Sequence, residues 1–144
     1  MKNKDPKGIC IPIQADLGTR AQAEQLANQI KQRESKLHLL FNNAGMSWGA
    51  LLTDFPEKNG WDRLFALNLK TCFYLTVSLI PLLGAGAEGN VDPARVINVS
   101  SVASVIPMAE TPLAAPGAGT WSYNASKAAL NHLTRSMAIS LQEY

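Results

Sequence analysis

Apolar residues in this chain fall into three short runs, separated by longer stretches in which they recur every three or four positions. Ile9 to Gln14 is a compact apolar run containing β-branched residues, and Asp16-Leu17-Gly18-Thr19 after it supplies turn and capping side chains, so a strand feeding a helix is predicted. From Ala21 to Ser35, Ala23, Leu26, Ala27 and Ile30 fall on one stripe of an otherwise polar, helix-favouring stretch, which predicts an amphipathic helix. Leu37 to Phe41 reads as a second buried strand, stopped by the turn formers Asn42-Asn43-Ala44-Gly45. Gly45 to Gly60 has little period of its own, whereas Trp61 to about Leu83 carries Leu64, Leu67, Phe73 and Leu75 at helical spacing. Pro81 predicts a break or bend near the end of that helix.

Arg95 to Val99 is the third strand, directly before Ser100-Ser101. Residues 102–122 contain Pro107, Pro112, Pro116, Gly117 and Gly119 and read as a loop, and Tyr123 to Tyr144 reads as a final helix. Strand and helix thus alternate three times, the order of an α/β fold in which each helical crossover returns the chain parallel to the preceding strand. No internal repeat or linker divides the chain, so it is read as one partial domain.

Composition fits this picture. The 144 residues are 47% hydrophobic and 17% charged, as expected of a globular domain with a real core. A net charge of +2, with Lys2, Lys4 and Lys7 clustered at the start, is too small and unfocused for a nucleic-acid surface. Cys10 and Cys72 have no His or second Cys at metal-ligand spacing; they read as small core residues in a reducing, cytoplasmic compartment, and no metal site is expected. The basic start is followed by a run broken by Pro12, Gln14 and Asp16, unlike a secretory signal. The longest uncharged run, Thr71 to Ala87, falls just short of a membrane span and reads as a buried helix.

Two motifs compete for attention. Gly84-Ala85-Gly86-Ala87-Glu88-Gly89 has the spacing of a dinucleotide-binding turn, but a helix precedes it and a strand follows. The carbonyl end of a helix repels phosphate, so this is a helix-to-strand loop. Tyr123 and Lys127, by contrast, are four apart at the start of a helix, which stacks phenol and ammonium on one face where the positive charge favours the phenolate. The pair is a candidate general acid/base.

Taken in order, Asp16, Asn42-Asn43-Ala44-Gly45, Asn68, Ser100-Ser101 and Tyr123-x-x-x-Lys127 each lie where a strand ends or where a helix carries them inward, and ligands of parallel sheets bind at the carboxyl ends of strands. This set resembles the short-chain dehydrogenase/reductase family, over nearly the whole chain from about Ile9 to Tyr144. The resemblance implies a partial doubly wound, Rossmann-like parallel sheet with helices on both faces. It also implies an oxidoreductase moving a hydride between NADP or NAD, NADP slightly preferred, and a small carbonyl or alcohol substrate. Tyr123 would exchange the proton; Lys127 would favour the phenolate and hold the ribose hydroxyls of the cofactor; Ser101 would polarise the carbonyl, with Ser100 the alternative because neighbouring residues at a strand end point opposite ways. Asn68, a poor helix former inside a helix, would anchor a proton-relaying water. Asn42, Ala44 and Gly45 would form the turn against the adenine-ribose half, with Asp16 and Leu17 beside the adenine; Asp16 would equally suit a cap for the helix starting at Thr19.

Two features depart from the family pattern. The interval between Ser101 and Tyr123 is longer than usual, so the Pro-rich stretch Pro107 to Thr120 is either part of a substrate wall or lid, or a plain surface loop. The family's first two strands, its Thr-Gly-x-x-x-Gly-x-Gly turn and its last strands have no counterpart here. Residues 1–144 correspond to the central portion of the domain, and Ile9–Gln14 lacks the strand it would pair with. Apolar faces and unpaired amides left open in this way predict a chain that alone is marginally folded or aggregates. The alternative function is then a catalytically incompetent fragment keeping an oligomerisation surface on the long and final helices, which in the family pack between subunits of a homo-oligomer.

Overall fold

The computed structural model describes residues 8–110 and 115–144. Residues 8–17 form neither helix nor strand, and Ile9 is 86% exposed. The predicted first strand is absent for a physical reason: a strand needs a neighbour to take its amides and carbonyls, and among the described residues this segment has none. Cys10 is accordingly exposed, not a core residue. Thr19 then caps α1 (Arg20–Lys31), its hydroxyl accepting the Gln22 amide at 3.3 Å. Strand β1 (Leu39–Asn42) follows and ends at the Asn-Asn-Ala-Gly turn.

The connection after the turn holds a two-residue strand, β2 (Ala50–Leu51), and a single 3₁₀ turn. From Glu57 to Gly86 the chain is continuously helical: π-helical turns at Glu57–Asp62 and Ala66–Lys70 flank the short α2 (Arg63–Phe65) and lead into α3 (Thr71–Gly86). Of the break or bend predicted at Pro81, the break does not occur: α3 runs on through it. Pro81 is exposed, and so is Val77, so the carbonyl deprived of its amide partner faces water. The distortion sits instead at the π turn that carries Asn68. This helix is long and apolar enough to cross a membrane by length and composition, but 44% of its most apolar window is buried against the rest of the protein.

Strand β3 (Arg95–Asn98) pairs parallel with β1, Leu39 opposite Arg95 through Asn42 opposite Asn98. A 3₁₀ turn at Val102–Ser104 follows, then β4 (Ala118–Gly119), which pairs antiparallel with β2. The 102–122 stretch, expected to hold no element, is therefore tied to the loop after the Asn-Asn-Ala-Gly turn. Helix α4 (Trp121–Ser140) starts two residues earlier than the sequence suggests and ends in a 3₁₀ turn.

One face of the β1–β3 pair is covered. Leu40 packs with Ala23 and Ala27 of α1 and with Leu75, Leu79 and Leu83 of α3. Side chains alternate across a strand, so Leu39, Phe41 and Ile97 point the other way, and they are 48%, 55% and 40% exposed. The glycine-rich run 84–89 behaves as a helix end and turn: Gly86 closes α3 against the Leu37 backbone, and Glu88 bridges to Asp92.

Candidate active site

The site is assembled at the carboxyl ends of β1 and β3. Asn68, fully buried, has its side-chain amide wholly engaged: Oδ1 accepts the Met46 amide at 2.8 Å, and Nδ2 donates to the Met46 carbonyl at 2.9 Å and to Ser126 Oγ at 3.1 Å. Ser126 in turn donates to the Tyr123 carbonyl at 2.8 Å. One side chain thus staples the chain leaving the Asn-Asn-Ala-Gly turn to the helix that carries Tyr123. The π turn supplies the helical offset that an unbroken α-helix would not.

Lys127 is also buried, and its Nζ donates to the Val99 carbonyl at 2.7 Å, just past the end of β3. The ammonium lies 5.7 Å from the centre of the Tyr123 ring, so the predicted pair does share one face. Gly45 completes the approach: a side-chain carbon there would sit 3.2 Å from Asn68 Oδ1 and 3.7 Å from Lys127 Nζ. Glycine keeps open the space where turn, amide and ammonium converge.

The two serines are distinguishable. Ser100 Oγ donates to the Lys127 carbonyl at 3.3 Å, so its proton is engaged with the helix backbone. Ser101 Oγ only accepts, from the Ala103 amide at 3.2 Å, as cap of the 3₁₀ turn, and its hydroxyl proton has no acceptor among the described residues. Ser101 is the serine left able to donate.

The remaining predicted positions sort unevenly. Ala44 and Gly45 are exposed at the open turn. Asn42 is buried on the helix-covered face, where Nδ2 donates to Asn98 Oδ1 at 2.8 Å and to Thr76 Oγ1 at 3.2 Å. Asn98 donates onward to Thr134 Oγ1 at 2.9 Å, and the two threonines each close back on their own helix, at the Cys72 and Leu130 carbonyls, both 2.7 Å away. Asn42 is therefore one rung of a polar ladder running α3, β1, β3, α4. That ladder was not recognised from sequence, although an Asn inside an apolar strand such as 95–98 is a usable cue. Asp16 lies in the irregular segment before α1, accepting the Gly18 amide at 3.3 Å; the cap of α1 is Thr19. The Leu17 carbonyl accepts the Thr71 hydroxyl.

Beside the ladder, burial pushes the Cys72 thiol above its ordinary range, partly offset by the Lys127 charge. Among the described residues no group of His, Cys, Asp and Glu could hold a metal ion. Two buried polar atoms there lack a partner, Trp121 Nε1 and Ser122 Oγ.

A parallel α/β sheet with Ser, Tyr and Lys at its strand ends defines a Rossmann-like oxidoreductase class. The family model for short chain dehydrogenases matches residues 2–144, and the chain belongs to that family. It is 40% identical over 131 residues to the rhamnolipids biosynthesis 3-oxoacyl-[acyl-carrier-protein] reductase of Pseudomonas aeruginosa, covering 91% of this chain and 47% of the relative. The 3-oxoacyl-[acyl-carrier-protein] reductase FabG of Thermotoga maritima is 28% identical, over 88% of this chain and 46% of its own length. Among solved structures, the Pseudomonas aeruginosa RhlG/NADP active-site complex superposes with a TM-score of 0.81 at 39% identity, over 91% of this chain and 47% of that one. The NADH-dependent reductase A1-R' gives 0.77 at 26%, over 91% and 50%. The chain thus spans about half the length of the relatives it matches.

Proposed function

We propose that this chain carries the proton-transfer half of an NAD(P)-dependent carbonyl reductase or alcohol dehydrogenase. The observation that supports it most is the convergence at Gly45, where the Asn68 amide and the Lys127 ammonium meet with no side chain between them. Tyr123 donates its phenolic proton to a carbonyl oxygen as reduction proceeds, and takes it back in the reverse direction. Ser101 donates a hydrogen bond to the same oxygen as negative charge builds on it. Asn68 positions: with its amide engaged by Met46 and Ser126, it fixes the turn relative to α4.

The residues present fit part of a nicotinamide dinucleotide, which supplies the hydride when bound. Lys127, whose ammonium lies beside Gly45, and Tyr123 on the same helix face would hold the ribose hydroxyls, and the open Ala44-Gly45 turn, Asp16 and Leu17 would take the adenine half. Relatives in complex with NADP favour that cofactor slightly. Among the described residues no glycine-rich turn leads from a strand into a helix, so they offer a pyrophosphate no cradle of backbone amides. Titrating the isolated chain with micromolar NADPH should leave the fluorescence of Trp61 and Trp121 without a saturable change. A small carbonyl compound, a cytoplasmic setting and a homo-oligomeric whole protein complete the reading.

The chemistry is tested by grafting residues 8–144 in place of the matching part of the Pseudomonas aeruginosa reductase. The chimaera should oxidise NADPH with a 3-oxoacyl substrate, and Tyr123→Phe should lower turnover by roughly 10²–10⁴-fold, the range of general acid catalysis, while cofactor binding persists. Loss of NADPH binding in that variant would make Tyr123 structural and end the proposal. The alternative, an incompetent fragment keeping an interaction surface, draws on the exposed Phe73 and Val77 of α3 and Ile139 of α4.

A further inference from the structure

Between the last turns of α3 and α4 lies a half-enclosed cavity of about 770 Å³. Ile80 and Leu83 line it from α3, Thr134 and Met137 from α4, and Val96 and Asn98 from β3. None of Gly45, Ser101, Tyr123 and Lys127 lines it, so it is separate from the site described above. Gly84 and Tyr144 also belong to the lining and touch: a side-chain carbon at Gly84 would sit 3.1 Å from the Tyr144 carbonyl oxygen. The turn that follows α4 therefore rests on α3 because position 84 carries no side chain.

No Asp, Glu, Lys, Arg or His side chain lines the cavity. An anion entering it would give up water and gain no cation, and an unpaired charge is costly to bury. The lining nevertheless holds one placed donor. Asn98 Nδ2 carries two hydrogens; Thr134 Oγ1 accepts one at 2.9 Å, and the other has no acceptor among the described residues. Oδ1 of the same amide accepts Asn42 Nδ2 at 2.8 Å, so the polar ladder fixes the amide from both sides. The volume falls within the ~300–1,000 Å³ of pockets that bury a small molecule. Apolar walls with a single oriented donor suit a neutral molecule that has one acceptor to offer.

We infer that this cavity is a second binding site, for an uncharged, largely apolar small molecule whose carbonyl oxygen accepts the remaining hydrogen of Asn98. The apolar walls supply affinity, and the Asn98 amide sets the orientation. The site does not depend on the chemistry proposed for Tyr123, and either can fail without the other.

The test titrates the 144-residue chain with 6-propionyl-2-(dimethylamino)naphthalene, a neutral aromatic ketone whose emission moves to the blue in apolar surroundings. The blue shift should saturate at one probe per chain. It should persist when Leu39, Phe41 and Ile97 are all replaced by threonine, which removes the exposed face of the sheet as a competing surface. Ala138→Trp on α4 and Ala87→Trp at the end of α3 place an indole in the lining from opposite walls, and each should weaken binding roughly ten-fold by filling the space. Ala138 is exposed, so its replacement does not endanger the fold. Ser136→Trp adds the same indole to an exposed position of α4 outside the lining and should leave binding unchanged. The corresponding 6-(dimethylamino)-2-naphthoate, with a carboxylate for the ketone, should bind roughly ten-fold more weakly. In nitrogen-edited proton spectra, the Asn98 side-chain hydrogen not bonded to Thr134 should shift as the ketone is added. Absence of saturable binding, its loss in the threonine variant, equal weakening by Ser136→Trp, a naphthoate that binds as tightly, or unmoved Asn98 hydrogens would overturn the inference.

Discussion

Replacing Leu39, Phe41 and Ile97 together by threonine should convert a chain expected to self-associate into one that sediments as a single monomeric species. Threonine suits a strand, so the pairing of β1 with β3 should survive. The three side chains are 48%, 55% and 40% exposed on the uncovered face of the sheet. Taking ~150–250 Å² for a large side chain, the patch amounts to roughly 270 Å². At about 25 cal/mol per Å², covering it completely is worth about 7 kcal/mol, comparable to the whole stability of a typical domain. Two copies meeting face to face would bury about 540 Å² through this patch, well below the ~1,200 Å² of a specific interface. The drive to associate is therefore strong while the geometry for one defined dimer is poor, and the unpaired edge of β1 adds a second route to indiscriminate pairing. Sedimentation velocity over a range of concentrations should show a broad, concentration-dependent distribution for the parent chain and a narrow monomer peak for the triple variant. A monodisperse parent that unfolds cooperatively on heating, or a triple variant as heterogeneous as the parent, refutes the reasoning.

The soluble variant then makes the interior measurable. Asn98→Ala strands one amide hydrogen of buried Asn42 and removes the donor to Thr134, a loss of about 2 kcal/mol that should appear as a lower urea midpoint with unchanged slope; a loss below about 0.5 kcal/mol would show that the ladder is dispensable. Gly86→Ala places a carbon 2.7 Å from the Leu37 carbonyl carbon, which should push α3 off that backbone and speed hydrogen exchange of the Leu37 amide, bonded to the Leu82 carbonyl at 2.8 Å; unchanged exchange there would count against the packing described. Because the Cys72 thiol titrates higher in the folded chain than in the unfolded one, its contribution is fully present below the range where a free thiol ionises and is lost as pH rises through the folded value. Stability should fall above pH ~8.5, less steeply in Cys72→Ala, and a thiol reagent should label Cys10 quickly and Cys72 only on unfolding.

What the sequence made legible were features set by local pattern. The stripe of Ala23, Leu26, Ala27 and Ile30 located α1 because a buried helix face must repeat with the helical period. Tyr123 and Lys127 were paired by the same arithmetic, whereas the choice of Ser101 over Ser100 came from the family resemblance. What escaped depended on neighbours distant in sequence. Ile9–Gln14 has the composition of a strand, and its own residues carry no sign that a partner is absent; that came only from the family resemblance, which pairs the run with a strand that has no counterpart here. Pro81 looked like a break because sequence does not say which side of a helix faces water. The ladder joins Thr76, Asn42, Asn98 and Thr134 across as many as 56 positions for one bond, beyond the reach of any periodicity.

Order within the site follows the same division between local and distant partners. Each hydrogen bond that fixes Asn68, Ser126 and Lys127 comes from a segment within the chain that is itself packed: Met46 after the turn, Tyr123 in α4, Val99 at the end of β3. Asp16 and Leu17, proposed above for the adenine end, belong to the irregular segment before α1, and Leu17 accepts a hydrogen bond from the Thr71 hydroxyl. Acid–base chemistry tolerates little displacement, since a proton passes only between atoms at hydrogen-bond distance, whereas the adenine grip acts through broad contact. On the proposed reading, the half of the site with the stricter geometry is the half this chain builds from its own parts, so a polypeptide that completed the sheet would need to bring the phosphate cradle and cover for Phe41, and would not need to rebuild the proton donor.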